Sequence, residues 1–481
     1  MTFDTEPSRE RRAEGARTSS PAPVFSEPPI RRVLVFVIVA LALIMSAIDS
    51  TIVATALHAL QHGLHTTINW AGWTLTGYAF GLVIMLPITG KLGERYGGRR
   101  IFIASVAMFT LSSLLCGLTD NIYLLIALRV VQAAGGAGFT PSATSIIVNH
   151  FGGERDRAVS LFGAIFPIGA MIGPIFGGIL VTYWSWRAVF FVNVPIGLVI
   201  FTLAWRYIPH DHKRAPAQER PTDLAGMGLM AIGLLAGMLA ISALAERSIH
   251  LYSVLFLAPL AISLAGGTLF WRHTRRSAHP FIPARLLTGP GFGSVNLVNA
   301  IYSGMAVGCV ALAPLYATNR YGINALQSGT LLVAQGIAQT VFSVLAVMAL
   351  RRTGYHAPLY VGGVLIGAGI LLFALPPLAP LSPYVWLASA AFLVGIGKGI
   401  TNPASRNAGL HLAPDHSATI AAIRTLFIQV GSIATVAVAT AILADVRDPG
   451  LSQAWVYVAA ALLFIAALPV IPHVPEHRGA W

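Results

Sequence analysis

Runs of about twenty apolar residues, the length a helix needs to cross a bilayer, recur from one end of this chain to the other. Fourteen are read, at about 33–57, 70–91, 101–118, 122–148, 157–181, 187–207, 222–245, 250–271, 292–318, 325–349, 357–376, 384–405, 417–443 and 453–471. Backbone inside lipid must satisfy its own hydrogen bonds, which leaves helices or a closed barrel, and runs this long select helices. Only 10% of the 481 residues are charged, against about 25% in a soluble protein. The expectation is an all-α membrane protein.

Charge sets the orientation. With the amino terminus inside, four Lys/Arg fall outside (Arg187, Arg247, Arg320, Arg447), three within spans (Arg129, Lys398, Arg424), and the other 24 of 31 on the inner side. That asymmetry follows the positive-inside rule and predicts a multi-pass protein of the cytoplasmic membrane with both termini in the cytoplasm. The net charge of +13 is therefore read as orientation and attraction to anionic lipid, with no nucleic-acid partner. Residues 1–32, rich in Pro, Ser, Glu and Arg, read as a disordered cytoplasmic tail. The first apolar run is too long for a signal peptide and lacks a small-residue cleavage site, so it is expected to remain.

Short loops leave no room for a soluble catalytic domain. The longest, 208–221 and 272–291, bracket spans seven and eight and divide the chain into a six-helix bundle (33–207), a linker pair with its flanking loops (208–291), a second six-helix bundle (292–471) and a cytoplasmic tail (472–481). The two bundles read as duplicates. "GAGFTPSA" (136–143) is echoed by "GKGITNPAS" (397–405), and Gly169, Gly173 and Gly177 by Gly431, Thr435 and Ala439. Duplicated halves are the mark of a transporter that rocks around a midplane site.

One acid, Asp49, sits deep within a span, in "SAIDSTIVATAL" (46–57). It lies eight residues before the outer end of the first run, or about 12 Å deep at the helical rise; Arg129, in the inward-running fourth span, lies about 10 Å deep. Either charge alone would cost several kcal/mol in hydrocarbon, so the two are expected to pair. A carboxylate beside a cation in a water-filled cavity can also titrate, and Asp49 is read as a proton carrier that Arg129 holds ionised. A purely structural pair is the competing reading.

These residues reach a family resemblance. "IDSTIVATAL" (48–57) resembles the Asp-x-Thr signature closing helix 1 of fourteen-helix drug:proton antiporters of the major facilitator superfamily. "WTLTGY" (73–78), "GKLGERYGGRR" (90–100), "RVVQAAGGAG" (129–138), "GAMIGPIFGG" (169–178) and "WSWRAVFFVNVPIGL" (184–198) are similar to that family's successive motifs, in the expected order. The resemblance implies the major facilitator fold: two six-helix bundles with two extra helices between them. It also implies that the turn containing Gly90, Glu94, Arg95, Gly97 and Arg99 is a conformational lock holding the outward-open state. Glu94, Gly93 and Gly98 stand where the family pattern has Asp, Ala and Arg, and Ala133 where it has Gly. In the fifth span, Gly169, Gly173, Pro174, Gly177 and Gly178 permit close helix packing and a bend; the family match adds a sealed seam favouring antiport.

Lys398 and Arg424 each lie about 10 Å above the inner face and leave the cavity region cationic; a snorkelling lysine and a carbonyl-capping arginine are the leading reading, and a preference for neutral or anionic amphiphiles over dications is the functional one. Tyr78, Gln132, Asn296, Asn299, Gln335, Gln339 and Gln429 complete the candidate substrate cavity, although isolated amides also bond between helices. His58, His62 and His65 have no acid or cysteine beside them, so no metal is expected. Cys116 and Cys309 read as small apolar packers, and no Walker P-loop is present. The chain is thus expected to use no cofactor, to be no enzyme, and to export an amphiphilic small molecule in exchange for protons. A specific metabolite, lipid or siderophore carrier is the alternative on the same fold; a transport-inactive receptor or scaffold is the rival from another class. The residues leave the oligomeric state open, with a monomer favoured.

Overall fold

The computed structural model describes residues 29–66, 68–151, 154–210, 223–244, 253–323, 325–443 and 448–477. Most of the amino-terminal tail, the last four residues, Arg247 and Arg447 lie outside them, as do the side chains of His58 and Pro174. The described residues contain helix and no strand. The first half comprises α1 (Pro29–Thr55), α2 (Leu57–Gly63), α3 (Ile68–Tyr96), α4 (Gly98–Leu118), α5 (Ile122–Ala137), α6 (Phe139–His150), α7 (Arg155–Tyr183), α8 (Ala188–Phe191) and α9 (Asn193–Tyr207). A hairpin of α10 (Leu224–Leu244) and α11 (Val254–Arg276) follows, then short α12 (Ala284–Thr288). The second half comprises α13 (Phe292–Val298), α14 (Ala306–Ala311), α15 (Ala313–Tyr321), α16 (Ala325–Thr353), α17 (His356–Ala374), α18 (Pro383–Leu412), α19 (Ser417–Leu443) and α20 (Pro449–Ala466). Twelve segments among the described residues are long and apolar enough to cross a membrane, and α10 is apolar over a shorter stretch, Leu224–Ala240.

Three sequence runs that read as single spans are interrupted, the sixth at Val192 between α8 and α9. The fourth divides at Gly138 into α5 and α6. Pro141 has no N–H to offer the carbonyl of Ala137, four residues back, and Thr89 Oγ1 donates to that carbonyl at 3.2 Å instead. The ninth run passes through a π-helical turn, Asn299–Met305, between α13 and α14. Such turns mark functional or closely packed points in helices.

Glycine seams hold the bundles together. Along α7, a Cβ on Gly169 would collide with Ala47, one on Gly173 with Thr51 and the Ile48 carbonyl, and one on Gly177 with Thr55 and Ile52, all on α1. In the second half, Gly431 of α19 packs on Ala300 and Gly304, and Gly308 on Ser432 and Thr435. The helix pairs match as well: Gly135 packs α5 on Phe109 of α4, and Gly397 packs α18 on Gly362 and Ile366 of α17. The duplication in the sequence is therefore a duplication of packing. Gly178 is the exception in its motif: it faces open space and contributes nothing to the seam.

The hairpin lies against the junction of the halves, with Met238 of α10 packed among Phe80, Val83 and Leu426. Asp223 anchors its start, accepting from the Gly226 N–H and the His273 ring on Oδ1 and from the Phe281 N–H on Oδ2. Burial opposes that charge, but the two backbone donors and His273 outweigh it and hold the carboxyl below the usual carboxylate range. Phe281, Ile282 and Leu286 then plug into the first core, which accounts for "HPFIPARLL" (279–287). Large apolar side chains such as Leu255, Leu264, Leu315 and Leu462 cover the outside, as lipid contact requires and water would not tolerate.

Gly173→Val is expected to lower the unfolding midpoint of the detergent-purified protein, by an overpacking cost of about 1–3 kcal/mol. Gly178→Ala should leave it unchanged. Equal midpoints for the two variants in a thermal-unfolding measurement would remove the seam from the account.

Candidate functional site

Asp49 and Arg129 meet inside the first bundle, both fully buried, with Arg129 Nη1 donating to Asp49 Oδ2 at 2.8 Å. Neither charge rests on the other alone. Gln132 Nε2 (3.1 Å) and Asn193 Nδ2 (2.8 Å) both donate to Asp49 Oδ1. Gln132 Oε1 in turn accepts from Arg129 Nη1 at 2.6 Å, and Ser113 Oγ accepts from both amides, at 2.6 and 3.0 Å. Arg129 Nε also donates, at a long 3.4 Å, to the carbonyl of Thr74. The Tyr78 ring lies 4.1 Å from the guanidinium carbon and the Phe190 ring 5.7 Å. Five helices thus contribute to one polar knot: α1, α3, α4, α5 and α9.

This arrangement corrects one expectation. Asp49 faces no open cavity in this structure: it is 0% exposed, and Arg129, Gln132 and Asn193 donate to its carboxylate. Gln132 also accepts from Arg129, and the Tyr78 ring packs on the same guanidinium. The physical reason is saturation. A buried carboxylate needs donors on both oxygens, and Gln132, one turn beyond Arg129, supplies one of them. Asn193 and Ser113 join the site without being expected. The sequence signal for Asn193 is an amide in an apolar run, within the motif at 184–198.

The turn between α3 and α4 lies at the end of the molecule rich in Lys and Arg, called here the basic end. Gly97 adopts φ +95°, a conformation that favours glycine. Gly90 brings α3 against Ala418 and Ala422 of α19, and Gly93 faces Ala418. Glu94 Oε2 lies 3.3 Å from His416 Nδ1, at the start of α19, and 3.4 Å from Lys91 Nζ. Arg95 lies over the Tyr96 ring. Arg99 Nη2 donates to the Trp205 carbonyl at 2.7 Å, tying α4 to α9. Two more contacts join the halves here: Arg406 Nη1 donates to the Val159 carbonyl at 3.1 Å, and Asn407 Nδ2 to Ser160 Oγ at 3.0 Å.

The remaining candidates do not converge on one cavity. Asn296 donates to the carbonyls of Leu286 and Leu287, and Asn299 to that of Val295. Gln335 donates to Gln339 on the same helix, and Gln429 is half-buried. Lys398 is buried, and Arg424 Nη2 donates to Asn402 Oδ1 at 2.6 Å. Of these, Asn296, Asn299 and Arg424 share a small cavity with Ser405 and Arg406. Among the described residues no group of three or more His, Cys, Asp or Glu could hold a metal. Cys116 and Cys309 are buried free thiols.

The model of the Major Facilitator Superfamily matches residues 39–436. The "Multidrug resistance protein B homolog" of Mycobacterium tuberculosis is 31% identical over 399 residues, covering 81% of this chain and 72% of that protein. The "Methylenomycin A resistance protein" of Streptomyces coelicolor is 27% identical over 449 residues, covering 91% and 92%. Among solved structures, the human organic anion transporter MFSD10 superposes with a TM-score of 0.65 at 16% identity, over 92% of this chain and 100% of that one. The proton:xylose symporter XylE gives 0.61 at 14%, over 94% and 97%; at these identities both likenesses concern the fold alone. The chain belongs to the major facilitator superfamily, and its all-helical fold is that of a membrane transporter.

Proposed function

We propose that this chain is a proton-coupled exporter of amphiphilic, drug-like compounds, of the fourteen-helix antiporter branch, working by alternating access in the cytoplasmic membrane. One observation carries the reading: Asp49, the acid buried in the middle of α1, is held by three donors from two other helices, α5 and α9. Resistance names among the relatives, at 27–31% identity, point the same way. In this reading residues 33–207 and 292–471 are the rocking bundles, 208–291 the inserted pair, and the basic end faces the cytoplasm, following the positive-inside rule.

The coupling follows from what the carboxylate accepts. Ionised, Asp49 offers lone pairs to Arg129, Gln132 and Asn193; protonated, it gains a donor and loses part of that acceptor capacity. The knot joining α1 to α5 and α9 then loosens. Because α1 is fused to α7 along the glycine seam, a shift of α1 moves α7, whose other end carries the Val159 and Ser160 contacts to α18. Proton occupancy in the first bundle is thereby linked to separation of the bundles at the cytoplasmic end. The membrane potential is a sufficient drive, at about 2.3 kcal/mol per charge per 100 mV.

Two outcomes are expected. In proteoliposomes given a pH jump across a compound panel, wild type couples proton flux to uphill compound movement, and Asp49→Asn does not; an amide variant pumping as well as wild type ends the proton-carrier assignment. Glu94→Gln should weaken the cytoplasmic lock by removing the charge facing His416. With both native thiols buried, a Ser160→Cys reporter is expected to react faster with an impermeant maleimide in inside-out vesicles when Glu94→Gln is present. Equal labelling rates would exclude Glu94 from the lock.

A further inference from the structure

The second half buries positive charge without negative charge. Lys398 and Arg406 on α18 and Arg424 on α19 are each less than one-tenth exposed, and none forms an ion pair among the described residues. Residues 398, 402 and 406 follow one another at one-turn intervals, so Lys398, Asn402 and Arg406 share a face of α18. The acceptors that the two arginines do find are neutral. Arg424 Nη2 uses Asn402 Oδ1, and Arg406 Nη1 uses the Val159 carbonyl. A guanidinium has five N–H donors and no acceptor, and the buried Nε of both Arg406 and Arg424 is without a partner.

Arg406 and Arg424 both line one cavity, together with Asn296, Asn299, Ser405 and apolar neighbours such as Phe292 and Ile423. Asn299 is the first residue of the π-helical turn, so the helix is irregular where it borders this cavity. The carboxylates elsewhere are engaged: Asp49 in its knot, Glu94 with His416 and Lys91, Asp223 with His273. Two like charges facing one small, enclosed space repel each other and forgo hydration. Apolar residues of similar size would fill that space at less cost if packing were the only requirement.

We infer that this cavity, about 10 Å³ as it stands and no larger than a water needs, opens into an anion site that takes a carboxylate or similar small oxyanion between Arg406 and Arg424 when the Arg406–Val159 contact between the halves is broken. A planar carboxylate matches the forked donors of guanidinium and completes charge-assisted bonds that the protein leaves unmade. Arg406 reaches Val159 of the opposite half through Nη1, so an anion on its Nε binds at a residue that also holds the two halves together. If the oxyanion is the head of an exported amphiphile, the site names that compound as an organic acid. That extension rests on the export reading; anion binding itself does not.

The test is binding to the full chain in phosphatidylcholine nanodiscs, by calorimetry and unfolding midpoint, with benzoate, neutral benzamide, acetate and chloride as probes. Benzoate is expected to bind saturably and raise the midpoint, and benzamide is not. Arg424→Met should weaken benzoate about tenfold or more, the scale of one lost charge-assisted contact, while its midpoint without anion stays level or rises. Arg406→Gln serves as the second variant should the first not fold. Acetate binding as well as benzoate identifies a site for free anions; benzoate without acetate identifies the head of an amphiphile. Benzoate binding in nanodiscs needs no proton gradient, so failure of proton coupling in proteoliposomes and failure of the anion site are separate results. Equal binding of benzoate and benzamide, chloride alone binding, or undiminished benzoate binding by both arginine variants overturns the inference.

Discussion

The first bundle is organised around the need to keep one carboxylate charged, or ready to be, inside a low-dielectric interior. A bare ion pair would not suffice, because each ion loses its hydration and the mutual attraction repays that only when the remaining lone pairs and protons are also satisfied. The protein meets the condition for the carboxylate with amides, while Nη2 of Arg129 stays without a partner. Gln132 and Asn193 each bond to both Asp49 and Ser113, so α1, α4, α5 and α9 are drawn to one point. The knot is a structural keystone and a vulnerable one, since any change in the charge of Asp49 alters bonds to α5 and α9 at once.

Such a knot has consequences at a distance only if the helices bearing it move as units. The glycine seam provides this for α1 and α7. Backbones that approach over Gly169, Gly173 and Gly177 leave no side-chain layer to absorb a shift, and the pair behaves as one body. At the other end of α7 the contacts across to α18 are few and uncharged on the α7 side: a carbonyl and a hydroxyl. Contacts of that kind can be broken and remade at small net cost, which suits a boundary that must open. The charged component at this end, Glu94 facing His416, joins α3 to α19 instead.

Much of this was legible in the sequence, because hydrocarbon imposes rules that residues display openly. Helical class follows from the length of the apolar runs, and the pairing of Asp49 with Arg129 from equal depth on oppositely directed helices. What depth cannot supply is azimuth. Asn193 and Ser113 lie near the same depth, but only the packed helices show that they face the acid, and Gly178 shares a motif with Gly177 yet points away from the seam. Breaks inside spans were hidden for a related reason. The partition at Gly138 and the π-helical turn at Asn299 depend on which neighbour takes a freed carbonyl or how closely a facing helix approaches. Scattered amides were the least readable class: Gln335 and Gln339 satisfy each other along one helix, a local solution that resembles a binding residue until its partner is known.

The duplicated halves share packing but not charge, and that difference bears on how a rocking transporter divides its work. Aligning "GAGFTP" (136–141) with "GKGITNP" (397–403) sets Ala137 against Lys398, and places Ala390 opposite Arg129. Gly136 and Gly138 are kept as Gly397 and Gly399 in this comparison, while the cations have moved. In the first half the cation is matched by an acid and the knot is closed to anything larger than a proton. In the second half residues 292–321 contain no acid, and the cations of α18 and α19 stay electrostatically incomplete. On the proposed readings, a symmetric scaffold with one neutralised half and one cationic half would separate the two tasks in space, protons where charge is balanced and an anionic partner where it is not. Each half would then bias the same hinge through its own contacts, α7 from one side and Arg406 from the other, without the two ligands having to compete for one site.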